Sequence, residues 1–428
     1  MDSLDTTMST MSIRQFEVSR SFIRRPLHFL RRHARQILAF GLAFLFLDLV
    51  FTLQRSQPAS KSIDPTHTNK ERIYIASLHW NEASLIRKHW APAVLNLVRY
   101  FGKENIYVSI VEGGSWDDTK EALTEFDLEL EKLGVERTIE LGNETHADVV
   151  NRPPEQTGWI DSPRGRKDLR RIPYLASLRN RAMEKLREFV ARKNKKRIFD
   201  KVLWLNDVIF DTQDVLNLLS TNDGHYAAAC ALDFSSPPFF YDTFALRDSS
   251  GSPTISMTWP YFLSPLSRSS IQTQSPVPVQ SCWNGMVIFD AAPFYAASPL
   301  QFRGLPDSLA KYHLEASECC LIHADNPLAV EKGVFVNPDV RVAYDAEARI
   351  LVNPLNGHWP SLWEKIQGAW RIRWARFVGS FGRYFRRRLI ADRLAKWEGG
   401  GTEVHLEAGR VCIVNEMQIL VDNGWMHV

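Results

Sequence analysis

Two short acidic segments, each following an apolar run, contain the residue types needed to handle a phosphorylated sugar. One is Glu112–Thr119, with the sequence EGGSWDDT, and the other is Asn206–Asp207, directly after the run Phe199–Leu205. Because a carboxylate repels phosphate, Glu112 is better suited to contact a base or a ribose. Asp207 could hold a divalent cation that neutralises a departing diphosphate. The residue types therefore indicate nucleotide-sugar chemistry.

Each segment also has a plainer explanation. Gly113 and Gly114 let the backbone turn tightly and approach a ligand, and Ser115 or Asp117 can cap the following helix. An ordinary strand-to-helix turn explains this loop equally well, and most Asn-Asp pairs such as Asn206–Asp207 are simple turns. The functional interpretation is stronger for the two segments together than for either alone, because both are expected at one edge of the sheet.

Three residues elsewhere could complete such a site. Arg179 could reach a phosphate, although a surface ion pair is the commoner role of a single arginine. Glu318 offers an acid or base group, and His323 offers a metal ligand. A histidine packed in the core explains His323 equally well.

The elements that must position these residues follow from hydrophobic periodicity, which alternates between strand-like and helical patterns from Glu71 onward. Because helices separate the strands, we predict a largely parallel sheet that binds ligands beyond the carboxyl ends of its strands. Residues 235–278, rich in Pro, Ser and Phe, are expected to be mostly loop. The predicted strands are Arg72–Leu78, Asn105–Val111, Thr138–Leu141, Phe199–Leu205 and Tyr226–Ala231, and the predicted helices are Leu85–Phe101, Asp117–Leu133, Arg171–Arg192 and Gln213–Ser220.

The N-terminal region predicts a membrane anchor. Ile37–Leu53 is apolar over about the minimum length for a span, and an arginine-rich flank precedes it. The positive-inside rule then places residues 1–36 in the cytoplasm and the bulk of the chain on the other side, as in a type II protein. Residues 54–70 are expected to form a stem. A cleaved signal peptide and a buried core helix are the weaker alternatives.

Composition narrows the function classes. The 428 residues are 45% hydrophobic and 24% charged, as expected for a globular protein, and the net charge of +3 gives no reason to expect a nucleic-acid partner. The five cysteines form no CxxC pair, so a zinc site of the usual spacing is not expected. In a lumenal domain they would form one or two disulfides and leave an odd thiol. Asn143 begins a glycosylation sequon, Asn-Glu-Thr.

The segment Trp359–Trp397 is basic and aromatic. An amphipathic helix that touches a membrane surface is one interpretation of it. A solvated basic face on a packed helix is the commoner explanation, and the sequence analysis favours it.

Several motifs, taken in order, resemble those of the cryptococcal mannosyltransferase family, fungal capsule-associated α-1,3-mannosyltransferases. The resemblance runs from about Arg72 to Asp345, with a weaker echo at Gly409–Trp425. The matching stretches are Val108–Thr119, Arg171–Asn180, Leu205–Phe210, Ala229–Phe234, Tyr241–Thr243, Arg247-Asp248, Val279–Ile288, Phe302-Arg303, Ala316–His323 and Asn337–Tyr344.

This resemblance implies a GT-A-like, Rossmann-type nucleotide-sugar domain at residues 71–345, with a small C-terminal extension at 346–428. It also implies a Golgi-membrane protein with a lumenal catalytic domain, acting in capsule or cell-wall glycan synthesis. GDP-mannose would be the donor, a mannose-containing glycan the acceptor and manganese the metal, with magnesium as the alternative; the anomeric configuration would be retained. Another GT-A enzyme using UDP-xylose or UDP-glucose, or a non-catalytic scaffold, remains an alternative.

The resemblance also suggests roles for individual residues. The loop at Glu112 resembles the acidic-Gly-Ser loop that seats the nucleotide, whereas Asn206-Asp207 resembles a metal-binding Asp-x-Asp motif that is one acid short. The expected nucleotide-sugar contacts are Glu112, Gly114, Ser115, Arg179 and Asn206. Catalytic or acceptor-side roles are expected for Asp207, Glu318 and Asp233, and metal binding for Asp207 and His323.

Overall fold

The computed structural model describes residues 71–191, 199–355, 358–400 and 405–428, together with parts of a helix between residues 33 and 50. Met1–Gln54 and Arg55–Val428 form two separate compact units. About half of the predicted anchor Ile37–Leu53 lies outside the described residues. Within the described part of the chain, no helix is both long enough and apolar enough to cross a bilayer.

A ten-stranded sheet dominates the second unit. The strands are β1 (Ile73–His79), β2 (Ile106–Glu112), β3 (Glu136–Glu140), β4 (Trp159–Asp161), β5 (Lys167–Leu169), β6 (Lys201–Leu205), β7 (Ala228–Ser236), β8 (Phe239–Phe240), β9 (Arg247–Asp248), β10 (Val277–Ser281), β11 (Met286–Asp290), β12 (Val334–Ala343), β13 (Gln418–Val421) and β14 (Gly424–His427). The strand order of the large sheet is β3-β2-β1-β6-β11-β7-β12-β10-β9, with β8 paired to β7, while β4–β5 and β13–β14 are separate hairpins.

The prediction of a largely parallel sheet is correct for one half of it. Strands β3, β2, β1 and β6 are parallel neighbours. In the other half, β11 runs antiparallel to both β6 and β7, and β10 runs antiparallel to β12 and β9. The chain reaches β10 and β11 through the loop-rich segment 235–278, so a regular strand-helix-strand crossover does not fix their direction.

Both faces of the sheet are buried, and the side chains of β1 point alternately into the two hydrophobic cores. Tyr74 and Ala76 belong to the hydrophobic core on one face, whereas Ile73 and Ile75 belong to the core on the other. Successive side chains of a strand point to opposite faces, so a nearly continuous apolar run is needed to fill two cores. Both cores lie within residues 73–413, so the second unit has the means to fold by itself.

The four predicted helices are confirmed, except that the described part of the predicted helix Arg171–Arg192 forms two helices rather than one. The first of these ends at Met183, which has bridge-like backbone angles, and the next begins at Glu184. The helices of the second unit are α1 (Ala83–Leu85), the π-helical turn Ile86–Trp90, α2 (Ala91–Phe101), α3 (Thr119–Leu133), α4 (His146–Val150), α5 (Arg171–Ala182), α6 (Glu184–Ala191), α7 (Thr212–Leu219), α8 (Pro265–Gln272), α9 (Asp307–Ala310), α10 (Glu318–Ala324), α11 (Ala329–Lys332), α12 (Ala346–Val352) and α13 (Leu362–Glu398).

Two disulfides confirm the expected pairing of four cysteines with one left over. Cys230 on β7 pairs with Cys282, and Cys320 on α10 pairs with Cys412 near the C-terminus. Cys319 is a free, buried thiol. The second disulfide ties the C-terminal segment to α10, and the β13–β14 hairpin that follows pairs through Ile419 with Arg170.

Candidate active site

Three strand ends meet at one edge of the sheet, as the sequence predicts for Glu112 and Asp207. In the parallel half, His79 at the end of β1 is opposite Glu112 at the end of β2. On its other side, β1 pairs with β6, where Ser77 is opposite Leu205, the residue before Asn206. The end of β1 therefore lies between the two segments that sequence analysis singled out.

A pair of carboxyl groups occupies this middle position. The Glu82 side chain, three residues beyond β1, is hydrogen-bonded to that of Asp207. Burial raises the pKa of Glu82 to about 8. The pKa of Asp207 is likewise raised well above its ordinary value, first by burial and then by the neighbouring Glu82. The predicted site at Asp207 thus gains a second acid.

Hydrogen bonds around His79 indicate where a proton lies. Ser77 Oγ donates its single hydrogen to the Leu205 carbonyl at 2.7 Å, so it must accept from His79 Nε2, 2.8 Å away. Burial lowers the pKa of His79 to about 4, and the neutral ring then presents Nδ1 as an acceptor. Glu82 Oε2 lies 2.9 Å from Nδ1, so one proton is shared between this carboxyl group and the ring.

The residues fit a divalent cation. Glu82 and Asp207 are in contact, and burial is the largest cause of the raised pKa of each, followed for Asp207 by the neighbouring Glu82. A divalent cation prefers carboxylate oxygens and would supply the missing positive charge. Glu82 and Asp207 are the residues that would hold it.

The loop after β2 is stabilised by its own backbone. One Glu112 oxygen accepts from the Ser115 N–H and the other from the Gly142 N–H at 3.0 Å. Ser115 Oγ accepts from the Asn81 N–H at 2.8 Å, so Ser115 secures the end of β1 rather than capping α3. Asp117 Oδ1 accepts from the Thr119 N–H at 3.0 Å, but the N-cap of α3 is Asp118, whose side chain makes no capping hydrogen bond. The prediction that Ser115 or Asp117 caps this helix is therefore wrong.

Gly114 is required for close packing of the chain against itself. Its φ is +82°, and a Cβ atom there would lie 1.8 Å from the Glu144 carbonyl oxygen. The close approach predicted for a ligand is therefore made by the neighbouring loop. Asn143, the sequon residue, is exposed in the same loop.

A cleft of about 600 Å³ opens beside this loop, and we call it the Glu112 cleft. It is bordered by Glu112, Gly114, Asn143, Arg170 and Tyr174 among others. Ser115 is not among its lining residues, which differs from its predicted role as a nucleotide contact.

A second cleft of about 400 Å³ lies beside β6, and we call it the Arg179 cleft. Its walls come from distant parts of the chain. They are Arg171, Leu175, Arg179, Asn206, Tyr241, Asp242, Thr243, Phe244, Trp283, Ser317, Glu318, Cys319, Tyr344, Glu416, Gln418, Trp425 and His427. Predicted residues Arg179, Asn206 and Glu318 are thus brought together here.

Arg179 is held rigidly but not fully satisfied. Its guanidinium lies 4.3 Å from the Trp283 ring centroid, and Nε donates to Glu318 Oε1 at 3.0 Å. The side chain is 7% exposed, yet Nη1 has no hydrogen-bond partner within the described residues. A buried donor without a partner costs free energy, so this nitrogen is suited to an anionic or hydroxyl oxygen of a ligand.

Asp233 lies behind the Arg179 cleft rather than in its wall. Its Oδ1 accepts from the Asp242 N–H at 3.1 Å and from Asn284 Nδ2 at 3.2 Å, and Oδ2 accepts from the Tyr344 hydroxyl at 2.9 Å. Burial and the neighbouring Asp242 raise its pKa to about 7. Asp233 is fully buried, so its visible role is to position Asp242 and Tyr344, which do line the cleft.

His323 does not join the carboxyl pair. It is 1% exposed, its ring stacks on Phe289, and Nε2 lies 2.6 Å from the Cys282 carbonyl oxygen. The nearby sulfurs of Cys230 and Cys282 are joined in a disulfide, so they are not thiolate ligands. Burial lowers the pKa of His323 to about 4. The geometry favours the core-histidine alternative over a metal ligand.

Asn206 contributes mainly through hydrogen bonds to tryptophans. Its carbonyl accepts from Trp90 Nε1 at 3.1 Å, and Oδ1 accepts from Trp283 Nε1 at 3.0 Å. It therefore links the end of β6 to the ring on which Arg179 lies. Of the two residues in the Asn-Asp pair, Asp207 alone joins the carboxyl pair.

Sequence reasoning gave no role to several residues of the site. Glu82 stands in the polar segment after β1, and Asp242 and Tyr344 stand in motifs that were recognised as matching stretches. Glu82 could have been recognised as a candidate site residue because it closely follows a predicted strand, Arg72–Leu78. Glu416 and Trp425 lie in the weaker C-terminal match at Gly409–Trp425, whereas His427 lies beyond it and no sequence signal pointed to it.

A family model described as cryptococcal mannosyltransferase 1 matches residues 72–325, which include all three strand ends. The chain belongs to this family. Alpha-1,3-mannosyltransferase CMT1 of Cryptococcus neoformans var. neoformans serotype D is 27% identical over 272 residues, which cover 60% of this chain and 55% of the relative. The chain thus matches about half the length of this curated relative.

Solved structures give weaker similarity. Mannosyltransferase PcManGT from Pyrobaculum calidifontis, in complex with GDP-Man and Mn2+, has a TM-score of 0.37 and 13% identity over 73% of this chain and 68% of that one. TarS from S. aureus, in complex with UDP, has a TM-score of 0.32 and 12% identity over 64% of this chain and 60% of that one. Neither score establishes a common fold, and membership of the mannosyltransferase family depends on sequence.

Proposed function

We propose that this mannosyltransferase-family chain transfers mannose from GDP-mannose to a mannose-containing glycan acceptor, forming an α-1,3 linkage with retention of configuration on a GT-A-like fold. Family membership supports the reaction class. The α-1,3-mannosyltransferase relative supports the sugar and the linkage. The donor is the one that the family resemblance implies.

The carboxyl pair of Glu82 and Asp207 is the observation that carries this proposal. It lies at the end of β1 and β6, while the Glu112 cleft lies at the end of β2. In our proposal the nucleoside occupies the Glu112 cleft and the mannose occupies the Arg179 cleft. The diphosphate then lies across the carboxyl pair.

A divalent cation bound by Glu82 and Asp207, manganese or alternatively magnesium, would supply positive charge to the departing diphosphate. Arg179 contributes a rigid guanidinium whose unpartnered Nη1 donates to a donor oxygen. Glu318 holds Arg179 in place from the acceptor side, and Asp242 presents a carboxylate in the same cleft. The aromatic rings below Arg179 keep water away from its buried face.

We also propose that the catalytic unit is lumenal, in the Golgi, on a type II anchor. Two disulfides support an oxidising compartment, because such bonds are rare in the cytosol. The arginine-rich flank before Ile37–Leu53 supports this orientation.

The proposal is tested with residues 55–428, GDP-mannose, manganese and α-mannobiose. We expect transfer, and a loss of roughly 100-fold or more in kcat/KM for Glu82→Gln and for Asp207→Asn. Glu125→Gln, an exposed carboxyl paired with Arg87, is the control and should react like the unchanged protein.

Three results would contradict the proposal. Equal activity of the Asp207→Asn variant would remove the carboxyl pair from the reaction. Turnover of UDP-xylose or UDP-glucose in place of GDP-mannose would identify another donor. A protein that binds none of these donors, with or without metal, would be a scaffold.

A further inference from the structure

Helix α13 has an exposed aromatic face. Trp374, Phe377 and Phe381 are 69%, 80% and 71% exposed. They recur at intervals of three and four residues, which places them on one side of a helix. The full face, which we call the aromatic face, comprises Trp363, Trp370, Trp374, Phe377, Phe381 and Phe385.

The opposite side of the same helix attaches it to the protein. Gly368 packs so closely that a Cβ atom there would lie 1.9 Å from the Trp259 carbonyl oxygen. Near the other end, Leu394 and Trp397 are buried, and Trp397 Nε1 donates to Ser308 Oγ at 3.1 Å. Both ends of α13 are therefore fixed, and the aromatic face points away from the surface that they pack against.

The charges on α13 all have one sign over most of its length. From Lys365 to Ala391 the sequence contains no aspartate or glutamate. The cations in this stretch are Lys365, Arg371, Arg373, Arg376, Arg383, Arg386, Arg387 and Arg388. A solvated helix is normally laced with opposite charges and is polar on its outer side. The solvated basic face favoured by sequence therefore does not account for exposed tryptophan and phenylalanine.

We propose that α13 binds the surface of an anionic lipid bilayer, with the aromatic face at the headgroup level and the arginines on lipid phosphates. Trp and Phe on one side with arginines around them are typical of helices that lie in a membrane interface. Cationic side chains add attraction to anionic lipid. A second copy of this chain would bring the same positive charge against itself, so charge complementarity favours lipid over self-association.

Vesicle sedimentation of residues 55–428 tests this proposal. We expect binding to phosphatidylcholine vesicles that contain phosphatidylserine, and at least about tenfold weaker binding to phosphatidylcholine alone. The combined change Trp374→Ala, Phe377→Ala and Phe381→Ala should reduce binding about tenfold or more. Arg376→Glu with Arg386→Glu and Arg388→Glu should remove the preference for phosphatidylserine.

The matched control removes three exposed apolar side chains elsewhere. Leu128→Ala, Ile350→Ala and Leu355→Ala together should leave vesicle binding unchanged, because these residues are 51%, 69% and 99% exposed on other elements. Circular dichroism and GDP-mannose turnover confirm that each variant is folded.

Three outcomes would overturn the proposal. The first is unchanged protein that stays in the supernatant with phosphatidylserine vesicles. The second is an aromatic-face variant that binds as well as the unchanged protein. The third is a dimer in analytical ultracentrifugation that the aromatic-face variant abolishes while vesicles bind neither protein, which would assign the face to a second copy of the chain.

Discussion

Two buried arginines on one helical segment, Arg170 and Arg179, differ in how completely their guanidinium groups are satisfied. Arg170 lines the Glu112 cleft and donates to both Glu315 oxygens, to Asp307 and to the Leu305 carbonyl. Arg179 lines the other cleft and has Glu318 as its hydrogen-bond partner, with Nη1 unpartnered among the described residues. A satisfied buried charge serves the fold, whereas an unsatisfied one is prepared for a ligand.

The largest expected effect is a loss of stability when Arg170, the arginine with a full set of hydrogen-bond partners, is replaced. Arg170→Met leaves Glu315 buried without its partner, so the free energy of unfolding should fall by roughly 3–5 kcal/mol. Urea denaturation of residues 55–428 measures it. Arg87→Met, which breaks an exposed pair with Glu125, is the control and should leave stability nearly unchanged, because exposed ion pairs contribute little. A small effect of Arg170→Met would make the two buried arginines equivalent.

The second prediction concerns Gly114, beside the Glu112 cleft. Gly114→Ala should lower the free energy of unfolding by about 3 kcal/mol or more, because its Cβ would overlap the Glu144 carbonyl at positive φ. Gly165→Ala is the matched control: its φ is +75°, and nothing lies within 4 Å of an added Cβ. That control should cost only about 1 kcal/mol. Equal losses would show that backbone strain, and not packing, makes Gly114 necessary.

The third prediction tests the unsatisfied arginine. Arg179→Lys keeps the positive charge but loses the planar fork, so kcat/KM for the donor should fall about 100-fold. Thermal unfolding should show a much smaller change than for Arg170→Met. Steady-state kinetics and a melting curve on the same preparation separate the two effects. A large loss of stability with normal kcat/KM in the surviving folded protein would make Arg179 structural.

The smallest expected effect concerns the carboxyl pair between the clefts. Burial gives Glu82 a folded pKa of about 8, above its unfolded value near 4.5, so its contribution to stability is complete below pH 4.5. That contribution is lost as pH rises from about 4.5 toward 8, because the unfolded chain releases this proton before the folded chain does. Glu82→Gln cannot ionise, so without metal its free energy of unfolding should fall less between pH 5 and 8. Parallel pH profiles of the two proteins would contradict the assignment.

Five of the strands, β1, β2, β3, β6 and β7, were predicted from sequence, because most of them are short apolar runs followed by turn residues. Predicted β1, Arg72–Leu78, differs from Ile73–His79 by one residue at each end. The common edge of Glu112 and Asp207 followed from the rule that parallel strands end together. The mixed half of the sheet was not predicted, because the long segment 235–278, and not a regular strand-helix-strand unit, leads into β10, and β11 follows β10 after a short turn.

The partners of Arg179 and Cys320 could not be predicted for a related reason. Glu318 is 139 residues beyond Arg179, and Cys412 is 92 residues beyond Cys320. Periodicity describes how a segment packs, but it does not say which distant segment it packs against. The second carboxylate at Glu82 was missed because only the strand order places β1 between β2 and β6.

The Arg179 cleft must form late in synthesis, because its walls come from both halves of the chain. Its walls include Arg171 from the first half of the chain and Gln418, Trp425 and His427 from the far end. Strands β1, β2, β3 and β6 can pair on the nascent chain long before those residues leave the ribosome. The cleft itself cannot close until residue 427 has emerged, so a product shortened at about residue 415 would keep every strand of the ten-stranded sheet and yet lack an enclosed place for the sugar.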